Sequence, residues 1–134
     1  MSDKGMQGYP DLTRGQRAVL IAAASLYAKH LSKLAEEARD LGKDKDAVAY
    51  ETEAAGIKDD VLLKLEETTP QLRAHEVKAI EKGLTFFLKN LRAAKGTVRA
   101  LGKSDLADQF EEEALEVERD VVPQFGEQVG MKGL

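Results

Sequence analysis

The sequence predicts an all-α fold, an antiparallel four-helix bundle built from two tandem helical hairpins. Three observations predict it. The chain aligns with itself without gaps at an offset of 60 residues, positions 10–67 on positions 70–127. Apolar residues recur at helical spacing in both copies, and the breaks between helices fall at matching places. About 15 of the 58 aligned pairs are identical, among them Arg39/Arg99, Leu41/Leu101, Gly42/Gly102, Lys43/Lys103 and Ala54/Ala114. Identity is therefore only about a quarter, and the argument rests on residue class and punctuation.

The first helix is expected near residues 13–41. Leu20, Ala24, Tyr27, Leu31, Leu34, Ala38 and Leu41 follow one another at spacings of 4 and 3, which places them on one helical stripe. Thr13 followed by Gln16 has the form of a capping box. At 1.5 Å per residue this helix would be about 43 Å long. Leu-Gly-Lys then stops it, because glycine accepts the left-handed conformation that closes a helix C-terminus. The second helix is expected at 44–67, with Asp44 as N-cap and a stripe of Ala47, Tyr50, Ala54, Ile57, Val61 and Leu65.

The second copy repeats the pattern. Thr69-Pro70 reads as N-cap and first helical residue, with Tyr9-Pro10 at the equivalent place. A third helix over 71–101 carries Ile80, Leu84, Phe87, Leu91, Ala94, Val98 and Leu101. A fourth over 104–122, with Ser104 as N-cap, carries Ala107, Phe110, Ala114, Val117 and Val121, and Phe125 extends the stripe. Pro123 stands where the first copy has Leu63 and is expected to kink or end that helix. Connections this short make each helix pair antiparallel, and one hairpin cannot bury its stripe alone, so two facing hairpins are expected.

At 134 residues the chain fits one domain. The bundle is expected over residues 10–127, from hairpin repeats 10–67 and 70–127, with flexible tails at 1–9 and 128–134. A 43% hydrophobic and 33% charged composition suits amphipathic helices. There is no cysteine, which excludes disulfides, thiolate zinc sites and cysteine nucleophiles. The first residues contain no apolar run of the signal-peptide kind. The longest apolar run, residues 18–28, falls short of a bilayer span. The expectation is a soluble cytoplasmic protein with no membrane partner. Net charge is −4. A basic stripe of Lys78, Lys82, Lys89, Arg92 and Arg99 has the acid-rich stretch 111–120 beside it, so no nucleic-acid partner is expected.

Chemistry-bearing patterns are sparse. Ferritin-like di-iron proteins are also bundles of paired hairpins, and they need Glu-x-x-His on two helices. The two histidines, His30 and His75, are preceded at that spacing by Tyr27 and Leu72. A carboxylate-rich metal site at Glu51, Glu53, Glu111 and Glu113 is the alternative that remains. The stretch AHEVKA, residues 74–79, resembles the His-x-x-Lys-Gly motif of histidine phosphotransfer domains, with Ala79 in place of the glycine. That resemblance would make His75 a phosphoacceptor and Lys78 its neighbour, a second alternative. Gly-x-Ser-x-Gly and Gly-rich phosphate loops do not occur. No catalytic residue, metal ligand or cofactor is assigned.

The two copies differ most on the outer face of the first helix. Ala18, Ile21, Ala22 and Ser25 stand where the second copy has Lys78, Glu81, Lys82 and Thr85, with Val19 and Leu26 at the flanks. A helix apolar nearly all round is usually covered by something. These six residues are the candidate partner or self-association surface. The function expected is a non-enzymatic helical interaction or assembly module, its partner a second copy or another helical protein.

Overall fold

A computed structural model of the chain describes residues 6–8 and 11–129, with side chains from 11 to 126. Its elements run β1 (Met6–Gly8), α1 (Arg14–Asp40), α2 (Asp44–Gly56), a π-helical turn (Ile57–Val61), α3 (Leu62–Leu65), β2 (Leu72–Arg73), α4 (Ala74–Ala100), α5 (Ser104–Glu116), a second π-helical turn (Val117–Val121) and α6 (Val122–Val129). α1 with α2 and α4 with α5 form the two expected hairpins, and α1 packs on α4 to join them. Among the described residues no helix is long and apolar enough to cross a membrane.

The hairpins meet where their backbones come closest. Gly83 of α4 lies against Ala23 and Ala24 of α1. A Cβ built on Gly83 would stand 3.2 Å from the Ala23 carbonyl oxygen and 3.4 Å from the Ala24 Cα. Ala23 and Gly83 are equivalent in the 60-residue repeat, so a pseudo-twofold axis between the hairpins passes through this contact. Leu20, Ile80, Leu84, Ile57, Leu65 and Phe125 are buried around it. A smaller cluster of Ala35, Ala38 and Ala47 lies within the first hairpin, towards its tip.

Both hairpin tips are built alike. Gly42 and Gly102 adopt φ of 74° and 80°. The Lys43 N–H donates to the Ala38 carbonyl at 2.8 Å and the Lys103 N–H to the Val98 carbonyl at 2.9 Å. The Gly42 and Gly102 N–H groups reach Arg39 and Arg99, completing a Schellman motif in each copy. The chain re-enters a helix so quickly that Lys43 and Lys103 take the N-cap position, without a side-chain bond. Asp44 and Ser104 are therefore the first helical residues rather than the caps expected from their type. Leu41 and Leu101 end the predicted stripes but sit at these tips beyond the core, 72% and 68% exposed.

Four further features depart from the expectation. First, Thr13 does cap α1, with both capping-box bonds formed. The equivalent cap of α4, however, is Arg73, three residues after Pro70. Pro70 is buried in the extended connection between hairpins, where Leu12 N–H also donates to the Thr68 carbonyl at 2.8 Å. Second, that extended connection has open backbone groups, and Met6–Gly8 pairs antiparallel with Leu72–Arg73. This part of the expected N-terminal tail is thus held as a strand; residues 1–5, 9–10 and 130–134 lie outside the described residues.

Third, each second helix is interrupted by a π turn, at positions again 60 apart. Leu62 N–H donates to the Ile57 carbonyl and Val122 N–H to the Val117 carbonyl, each five residues back. Fourth, Pro123 does not end the last helix, which runs on to Val129. It falls just after the π turn, where the hydrogen-bond ladder changes register, so its missing N–H costs less than in a regular helix interior.

The close approach at Gly83 gives a contrast between two glycines of α4. Gly83→Val is expected to destabilise by about 1–3 kcal/mol through overpacking against the α1 backbone. At Gly96 an added Cβ meets nothing within 4 Å. Gly96→Ala is therefore expected to stabilise by about 0.5–1 kcal/mol through helix propensity. Urea unfolding followed by circular dichroism reads both.

Candidate functional site

The pseudo-twofold axis lets each hairpin serve as a reference for the other. Across the outer seam of the second hairpin, Arg92 on α4 pairs with Glu118 on its π turn, at 2.5 Å. The equivalent residues of the first hairpin are Ser32 and Lys58, whose Nζ is 3.4 Å from the Ser32 hydroxyl. The rung is thus charged and closed in one copy and weak in the other. Phe86 of α4 stacks on His30 with ring centroids 4.4 Å apart and lies tilted against Tyr27 at 5.9 Å. Its equivalent in the first hairpin is Leu26, which stays 37% exposed.

These differences leave a groove of about 530 Å³ on the first hairpin, between α1 and the π turn with α3. Ala22, Ser25, Leu26 and Leu62 line it, Ala28 lies at its base, and Lys29 and Lys58 stand at its edge. No carboxylate is among its lining residues.

Of the six residues that the sequence singled out, the groove brings together Ala22, Ser25 and Leu26. Ala18 is exposed one turn earlier, Ile21 is half-buried against the core, and Val19 belongs to a different cleft. Lys29, Ser32, Lys58 and Leu62 were not anticipated. The signal for two of them was present, since Ser32/Arg92 and Lys58/Glu118 are mismatched pairs of the repeat.

Two other clefts are related by the pseudo-twofold, each where the start of one hairpin's first helix meets the π turn of the other hairpin. One of about 490 Å³ is lined by Gln16, Val19, Glu113, Glu116, Val117 and Asp120 among others. Its partner, about 430 Å³, is lined by His75, Glu76, Ala79, Glu53, Ile57 and Lys82 among others. Their polar links are also equivalent. Gln16 donates to the Asp120 carbonyl at 3.2 Å and is hydrogen-bonded to Gln124. Glu76, only 2% exposed, accepts from Lys64 Nζ at 2.7 Å and from the Arg73 N–H at 2.9 Å. Lys82 of α4 crosses to Glu53 of α2 at 3.3 Å. Position 22 is alanine, so Glu113 lacks the cation that Glu53 has in Lys82.

Three of the four acids considered for a metal site, Glu51, Glu53 and Glu111, are drawn to cations instead. Glu51 pairs with Arg39 and Glu111 with Lys95. The hydrogen bond from Lys95, more than its charge, holds the Glu111 carboxyl below its ordinary pKa. Among the described residues no three His, Asp or Glu side chains converge on a point that could hold a metal. His75 is exposed in the first turn of α4, beside Asp60, Lys64, Arg73 and Glu76. Of the basic stripe on α4, Lys82, Arg92 and Arg99 pair with acids of neighbouring helices. Tyr27, half-buried at the hairpin junction, has its hydroxyl pKa raised by burial and then by Glu53.

The chain matches no family model, no curated protein and no solved structure.

The equivalence of Gln16–Gln124 and Glu76–Lys64 is open to test. Glu76→Ala leaves the Arg73 N–H and the Lys64 ammonium without their acceptor and is expected to cost about 1–3 kcal/mol. Glu76→Gln combined with Lys64→Gln rebuilds the pair found in the other copy and is expected to keep most of that stability. Circular dichroism during urea unfolding of the two variants and the parent decides it.

Proposed function

We propose that this chain is a non-enzymatic helical interaction module that binds a helical polypeptide, either another protein or a further copy of itself, in the groove on its first hairpin. The observation that carries this is the difference between equivalent seams. The second hairpin closes its seam with the Arg92–Glu118 pair and turns Phe86 onto His30 of α1, while the first leaves Leu26 open to solvent beside Ala22 and Ser25. An apolar groove flanked by helices, with small residues that permit close backbone approach, suits an amphipathic helix laid into it. Charged groups only at the rim suit a binding surface, where apolar contact at the centre is dry and the periphery stays solvated.

The chain has no cysteine, so a single one can be introduced as a unique handle. Ser25→Cys carrying a benzophenone is expected to photo-cross-link to a discrete polypeptide in an extract of the native cells. Thr85→Cys, at the equivalent position of the other hairpin, is expected not to. Leu26→Glu should remove the Ser25 product. Equal labelling from both positions, or none from either, would overturn the binding role.

A further inference from the structure

The groove has a counterpart on the molecule's own surface. On α5, Leu115 is half exposed, at 50%. Glu112 and Glu116 stand three residues before it and one after, both exposed. Arg119 is the base next to them, and its guanidinium is committed to Asp120, 3.0 Å away. The helix therefore presents an apolar knob in an acidic frame. The first hairpin has nothing of the kind, since the equivalents of Glu112, Leu115 and Glu116 are Thr52, Ala55 and Gly56. The groove is the complement in both respects: a floor of Leu26, Leu62 and Ala22, an edge of Lys29 and Lys58, and no lining acid.

We propose that the occupant of this groove is α5 of a second copy of the chain. Leu115 enters the groove beside Leu26 and Leu62, and Glu112 and Glu116 face Lys29 and Lys58. This rests on the binding role proposed above and names its partner. Knob and groove are different surfaces carried by different hairpins, and the pseudo-twofold does not interchange them. The contact is heterologous, so a pair keeps one groove free on one copy and one knob free on the other, and the assembly grows head to tail unless it closes into a ring. The attraction is carried partly by exposed charge, so it weakens as salt rises.

The test uses charge exchange in the full-length chain, with light scattering and analytical ultracentrifugation as readouts. The parent is expected to show a mass above 14.7 kDa that rises with concentration and falls with added salt. Lys29→Glu/Lys58→Glu and Glu112→Lys/Glu116→Lys, all at exposed positions, are each expected to be monomeric with unchanged helix content. An equimolar mixture of the two should associate again, because the reversed groove of one meets the reversed knob of the other. A parent that stays monomeric to about 1 mM, where even a weak complex of −4 kcal/mol would be half formed, overturns the inference. So does association that the double variants leave intact, or a mixture that stays monomeric. If the parent is monomeric but Ser25 still cross-links to a polypeptide of another mass, self-docking fails and the binding role stands; if both fail, so does the role.

Discussion

The structure turns on the missing side chain at position 83. Two hairpins of this length can share a core only if one helix of each comes close enough to press its apolar stripe on the other. The absent Cβ of Gly83, set against Ala23 and Ala24, provides that approach. With α1 and α4 in contact, their stripes turn towards one another, and α2 and α5 flank them outside. The π turns then reach both hairpins, and Phe125 and Leu65 fill the space left over. A larger residue at this point would press on the α1 backbone at Ala23 and Ala24 and push the two helices apart there.

The axis relates backbones more faithfully than surfaces. Tips, π turns and helix starts recur at an offset of 60 with nearly the same hydrogen bonds, whereas the outward residues do not. Arg92–Glu118 and Lys82–Glu53 are partly exposed pairs, of a kind that adds little to stability. Arg92–Glu118 lies across the seam within its hairpin, where a long side chain keeps another helix from it, while Lys82–Glu53 joins α4 to the other hairpin's α2. Where the first hairpin carries Ser32 in place of Arg92, the seam stays open, and where it carries Ala22 in place of Lys82, Glu113 is left among the acids of α5. One set of substitutions thus opens a groove on one hairpin and leaves negative charge on the other.

Much of the architecture was legible in the sequence. The duplication, the two hairpins, the glycine stops and the capping box at Thr13 are local in origin, set by side-chain period or by the conformational freedom of one residue. What escaped the sequence depends on partners distant in the chain. Pro70 looked like the start of a helix, but the connection there is held extended by Leu12 and by pairing with Met6–Gly8. Leu41 and Leu101 fit the stripe, yet burial needs an opposing helix and none reaches the tips. The stripe through Ile57, Val61 and Leu65, spaced 4 and 4, suits an α-helix and a π turn equally well, so the pattern did not separate them. The groove was half visible: Ala22, Ser25 and Leu26 are neighbours on one helix, while Lys58 and Leu62 come from another and are found only by pairing the copies position by position.

The π turns also govern which way each second helix faces. In a regular helix a residue advances about 100° around the axis, so accommodating one extra residue in a turn rotates everything after it by that angle. Towards the tip, Ala47 packs with Ala35 and Ala38 of its own hairpin and Tyr50 borders both clusters; from Ala54 through the turn, the same rod presents Ile57, Val61 and Leu65 to the shared core. The first hairpin's second helix thus has two stretches, a tip stretch serving its own hairpin and a stretch around the π turn serving the union of hairpins. The two tasks are thereby separated along the chain, and sequence change towards the tip can proceed without disturbing the stretch that holds the halves together.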